Sequence, residues 1–119
     1  MKTMNKLVLS ATSMIGDKVK NSAGDQLGGI TEIMIDVHTG QVVYAVLSFG
    51  GFLGLGDKLF AIPWESLTID TSDHTFILDV PKEVLQNAEG FDQDNWPNFA
   101  DPEWSRRTYA HYGVEPYWN

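Results

Sequence analysis

From residue 17 to residue 64, short apolar runs alternate with glycine-bearing turns, the pattern of a small and strongly bent β-sheet. Residues 17–21 make a first short strand, and the run Asn21-Ser22-Ala23-Gly24-Asp25 turns the chain. Residues 27–37 read as a second strand. In its later half Ile33, Ile35 and Val37 alternate with Glu32, Met34 and Asp36, the period of a strand buried on one face. Gly28 and Gly29 near its start suggest a bend or bulge, because no Cβ opposes positive φ there. Residues 37–41 then reverse the chain, with Gly40 at the position that favours left-handed backbone.

The third strand, residues 42–49, is apolar on both faces: Val42, Tyr44 and Val46 on one, Val43, Ala45, Leu47 and Phe49 on the other. A strand apolar on both sides is central, or has its outer face packed by another element or subunit. Residues 59–62 are a short strand stopped by Pro63, which cannot donate to a ladder. Residues 67–70 and 76–80 form a further hairpin across Thr71-Ser72-Asp73-His74. The expected fold is therefore mainly β: a small, strongly bent antiparallel β-barrel with a short C-terminal helix.

After this sheet, residues 81–88 make a helical turn or two, opened by Pro81 and Glu83. Composition changes after Gly90. The last stretch holds Trp96, Trp104, Trp118, Tyr109, Tyr112 and Tyr117, most of the chain's Trp and Tyr. One good helix is expected there near 102–112, with Asp101 as N-cap, Pro102 at the first position and Gly113 ending it. Trp104, Thr108, His111 and Tyr112 fall at spacings of three and four and form an aromatic stripe. The chain is thus read as a barrel domain over residues 1–90 and an aromatic tail over 91–119. At 119 residues it has the length of one domain with an appendage.

Composition narrows the function classes. Asp and Glu number 16 against 8 Lys and Arg, a formal net charge of -8. Such a charge opposes attraction to phosphate backbones and to anionic membranes, so direct nucleic-acid binding is not expected. With no cysteine, disulfides, thiolate metal sites and cysteine nucleophiles are excluded. The apolar run Leu7-Val8-Leu9 is too short for a secretory core of roughly 7–15 residues, and no segment reaches the ~20 of a membrane helix. A cytoplasmic protein without membrane insertion is the expectation.

Several motifs, taken in order, resemble the PRC-barrel family, named for the photosynthetic reaction centre H subunit and shared with a ribosome-maturation factor. They are Gly24-Asp25-x-Leu27-Gly28, Ile35-Asp36-x-x-Thr39-Gly40 and Tyr44-Ala45-Val46-Leu47-Ser48-Phe49-Gly50-Gly51. Further on come Gly54-x-Gly56-x-Lys58-x-x-Ala61-Ile62-Pro63-Trp64 and Leu78-Asp79-Val80-Pro81-Lys82. The tail, with Phe91-Asp92-x-Asp94-Asn95-Trp96-Pro97 and then Asp101-Pro102-Glu103-Trp104, is similar to tails on stand-alone bacterial members. The resemblance implies a compact barrel used as an adaptor or docking surface. The chain lacks the membrane helix of the first relative and the RNA-associated domain of the second, so neither specific task carries over.

Reactive chemistry is sparse. The glycine run 50–56 is followed by Lys58-Leu59 and a strand, whereas phosphate loops open a helix and the P-loop needs Ser or Thr after its Lys. It reads as a flexible flap on which Phe52, Leu53 and Leu55 could grip a partner. His38, His74 and His111 are far apart in sequence, and Asp92, Asp94 and Asn95 lack the glycine and distal Glu of a calcium loop. No Ser lies in a nucleophile elbow. No catalytic residue, metal site or cofactor is therefore assigned.

The function expected is a non-enzymatic protein-interaction module that forms a homodimer and binds an unidentified protein partner. A small-molecule-binding barrel and a ribosome-assembly role are the alternatives. The interaction candidates are Phe52, Leu53, Leu55, Tyr44, Trp96, Trp104 and Tyr112. Trp64 is expected to cap the barrel core. The aromatic tail either folds back over Tyr44 and Val46 or docks on another chain.

Overall fold

The computed structural model describes residues 8–50, 57–70 and 72–116. After a short turn of helix, α1 (Ala11–Met14), six strands follow: β1 (Lys18–Lys20), β2 (Gln26–Asp36), β3 (Gln41–Gly50), β4 (Asp57–Pro63), β5 (Leu67–Asp70) and β6 (Thr75–Leu78). They form one curled half-barrel sheet in the order β4-β3-β2-β1-β6-β5. The mainly β fold with a C-terminal helix is as expected, but the pairing is mixed. All neighbours are antiparallel except β1 and β6, which run parallel. Turn chemistry fixes direction only between strands joined by a hairpin; β1 and β6 are separated by the rest of the sheet, so no local signal set theirs.

The bend has a local cause. Strand β2 carries two extra residues, Leu27 between the Gly28–Val19 and Gln26–Lys20 pairs and Thr31 between Ile30–Leu47 and Glu32–Val46. A third bulge leaves Val43 of β3 unpaired between Met34–Tyr44 and Ile35–Val42. Each bulge bends its strand and increases its twist. At Gly28 the φ is +138°, and a Cβ there would lie 1.9 Å from the Ser48 carbonyl oxygen, so only glycine fits the crossing.

Curling divides the apolar residues into two layers. Inside the curl, Val19, Leu27, Ile30, Ala45, Leu47, Phe60, Ile62, Phe76 and Leu78 pack around Leu85 of α2 (Lys82–Gln86). Trp64, expected to cap this core, is half-buried at its margin in a 3-10 turn, its ring 6.0 Å from that of Phe76. Buried Asn21 ties the layer shut: its amide donates to the Val80 carbonyl at 3.1 Å and to Asp25 at 3.2 Å. Its side-chain oxygen accepts from the amides of Ala23 and Asp25, so the buried amide group is satisfied.

On the outer face, Tyr44 and Val46 of β3 and Leu59 and Ala61 of β4 are covered by Phe91, Trp104 and Tyr109. The tail reaches this face by pairing Phe91 with Leu59 through two backbone hydrogen bonds of 2.8 and 2.9 Å, which occupy part of the β4 edge. It then forms α3 (Pro102–His111), where Asp101 caps by accepting from the Glu103 amide at 3.0 Å. Gly113 follows with φ +71°, as its place after the helix anticipates.

Candidate functional site

Apolar side chains remain in solvent near the N-terminus, at Val8, Leu9 and Ile15, and at the far end of the β2–β3 hairpin. Ile35 is 50% exposed and Val37 86%. The alternation in sequence placed both on the buried face with Ile33. Ile33 does pack against the inner core, but Ile35, nearer the turn, lies beyond the residues that form that core. Val37 then falls in the turn itself. There Asp36 holds the reversal, its carboxylate accepting from the His38 amide at 2.9 Å and its carbonyl from the Gly40 amide at 2.7 Å.

Met34, which alternates with Ile33, and Val43, at a bulge of β3, both pack against the tail cluster rather than the inner core. Between this hairpin end and the tail lies a pocket of about 300 Å³. Met34, Ile35 and Val43 supply aliphatic wall, and Tyr44 and Phe99 supply rings 5.6 Å apart. The polar residues on it are few: Ser105, Asp36 and His38. Tyr44 is 2% exposed and its hydroxyl has no hydrogen-bond partner. Burial raises its pKa, opposed in smaller part by the nearby Ser105 hydroxyl. The two do not meet in hydrogen-bonding geometry, and Ser105 Oγ donates instead to the Phe99 carbonyl at 3.3 Å. A larger hollow of about 510 Å³ lies over the Gly28 bulge, but glycine backbone and Lys82 make up much of its wall and it is the more open of the two.

The interaction candidates fall in different places. Tyr44 and Trp104 are buried against each other, rings 5.4 Å apart, so in this state neither meets a partner directly. Tyr112 is half-buried against the inner core, its hydroxyl enclosed without a partner and its pKa raised by burial. Trp96 keeps 39% of its surface exposed and leans on Phe91 and Phe99 at 5.2 and 6.0 Å. Phe52, Leu53 and Leu55 lie outside the described residues. The stripe on α3 is rotated from the expected one. Trp104, Ser105, Thr108 and Tyr109 face the sheet, while His111 is exposed with Nε2 2.7 Å from the Val84 carbonyl.

Among the described residues, no group of three or more His, Cys, Asp or Glu is placed to hold a metal ion. No helix among them is long and apolar enough to cross a membrane. The Arg107–Glu89 pair, 3.3 Å apart, fastens α3 to the segment after α2 at an exposed position.

The sequence model of the PRC-barrel domain matches residues 7–85, well over half of the chain. This chain belongs to the PRC-barrel family. The match spans every strand of the sheet and stops before the tail, so the family's small barrel is the part that carries the bulged hairpin. The PRC-barrel family is generally non-catalytic. No curated protein matches the chain significantly.

Sequence reasoning missed Met34, Ile35, Val37, Val43, Phe99 and Ser105 as site residues. For Val37 a signal existed: it directly follows Asp36 in a turn motif, where a strand's alternation has already ended. Phe99 sits in a loop without periodicity, and nothing local announced its partner.

Proposed function

We propose that this PRC-barrel protein is a non-catalytic interaction module that self-associates through the end of its β2–β3 hairpin. The observation that carries this reading is the pair Ile35 and Val37, 50% and 86% exposed beside an apolar-walled pocket. Large apolar side chains grouped at a protruding turn are removed from water by symmetric pairing, and twofold dimers are the commonest soluble oligomers. The outer face of β3, which the sequence left open to a second copy, is filled by the chain's own tail. Self-association is therefore assigned to the hairpin end and not to that face.

Sedimentation velocity of the full chain across the micromolar range tests the reading. The native protein is expected to sediment as a dimer and the Val37→Asp variant as a monomer, because the substitution puts a charge at the centre of the contact. A native protein that stays monomeric throughout, or a variant that remains dimeric, would overturn it.

A further inference from the structure

We propose that the pocket between the β2–β3 hairpin and the tail receives Val37 of a second copy, so that two hairpin ends pair reciprocally, each turn seated in the other's pocket. This deepens the self-association proposed above and rests on it. In a twofold contact one patch faces itself, and whatever projects from the patch must meet a recess on the same patch. The hairpin end carries both. Val37 projects from the turn and is 86% exposed, while Met34, Ile35, Val43 and Phe99 wall a recess of about 300 Å³. Val37 itself is not part of that wall. Ligand pockets run from roughly 300 to 1,000 Å³, so a recess at the lower limit suits one aliphatic side chain and its turn better than a larger guest.

This one arrangement accounts for both exposed apolar residues of the hairpin. Seating buries Val37, and the turn that carries it covers Ile35, which is 50% exposed on the wall. Packing the two Val37 side chains against each other at the axis would leave both recesses empty, and the walls of an apolar hole lose their dispersion contacts. The polar flanks agree. Asp36 and His38 bracket Val37 in sequence and also stand on the pocket wall. Reciprocal seating brings each Asp36 toward the partner's His38. An imidazole offers a ring N–H whether neutral or charged, and a carboxylate accepts more than one hydrogen bond, so the two match. A contact that set each Asp36 against its own counterpart would oppose like charges in a chain of net charge -8. Two turns and two recesses make a small contact, the size class of weak and reversible association.

The chain has no cysteine, so disulfide trapping reads this geometry directly. Val37→Cys places a thiol on the turn, and Ala100→Cys places one on an exposed loop position of the wall. Unlabelled Val37→Cys is mixed with isotope-labelled Ala100→Cys, oxidised with a copper catalyst and analysed by mass. A disulfide joining positions 37 and 100 then forms only between copies, and only where the two backbones come within disulfide reach. We expect this mixed product to form several-fold faster than either like pair. Ala100→Trp, which blocks the recess and leaves the Val37 turn intact, should sediment as a monomer where the native protein is a dimer. If the native protein is dimeric but the 37–37 product predominates, no mixed product forms, or Ala100→Trp stays dimeric, the seating is overturned and self-association stands. A native protein that is monomeric across the micromolar range overturns both.

Discussion

Tyr44 and Tyr112 are the residues whose chemistry departs furthest from the ordinary. Both hydroxyls are enclosed without partners, and burial raises both pKa values above the usual 10.0. Their neutral forms are favoured in the folded state, so the sign of the linkage is fixed. The stability tied to this neutrality is fully present below the unfolded pKa of 10.0 and is lost as pH rises through the folded values. The expected outcome is alkaline unfolding in which circular dichroism and tyrosinate absorbance change together for these two groups. Tyr44→Phe with Tyr112→Phe should move that transition to higher pH. Early ionisation of all tyrosines in a still-folded protein would contradict it. Tyr44 was singled out from sequence as an outward, partner-seeking side chain. Its outward direction was legible in the alternation of β3; what would cover it was not, because the covering residues are far away in the chain.

At the scale of elements, the bulged hairpin and the tail helix decide what is exposed. Turn positions at Gly40 and Gly113, the N-cap at Asp101 and the strand end at Pro63 were all readable, because each depends on one residue's backbone or side-chain chemistry. The register shift at Val43 was not, since Val42-Val43-Tyr44 contains no glycine to mark a bulge. That shift puts Val43 beside Tyr44 in the outer cluster, where strict alternation had placed the two on opposite faces. The tail helix was legible as a helix, but its buried stripe turned toward Tyr109 in place of His111, following the curved face it meets. Trp104 is the anchor of this contact, 5% exposed with rings of Phe99 and Tyr44 at 5.0 and 5.4 Å. Trp104→Ala should destabilise the protein by about 3–5 kcal/mol in urea denaturation, as for a buried large aromatic. A loss below about 1 kcal/mol would mean that the tail does not hold the sheet.

For the whole molecule, the half-barrel is two-faced. The inner layer closes around Leu85, while the outer layer of Tyr44, Val46, Leu59 and Ala61 needs a cover from outside the sheet. Phe91, Trp104 and Tyr109 supply that cover from the same chain, so that face is not offered to a second copy, whereas Ile35 and Val37 at the hairpin end stay exposed. The sequence posed the choice between self-cover and docking and could not resolve it, since an aromatic stripe serves both. Truncation after Gly90, followed by light scattering and by the fluorescence of a hydrophobic dye, tests the self-cover most directly. The truncated chain should aggregate and bind the dye strongly, because four large or packed apolar positions on β3 and β4 become solvent-facing at once. A truncated chain that stays dispersed, binds no more dye than the full-length protein and keeps its stability would contradict the central claim that the tail is this barrel's own outer layer.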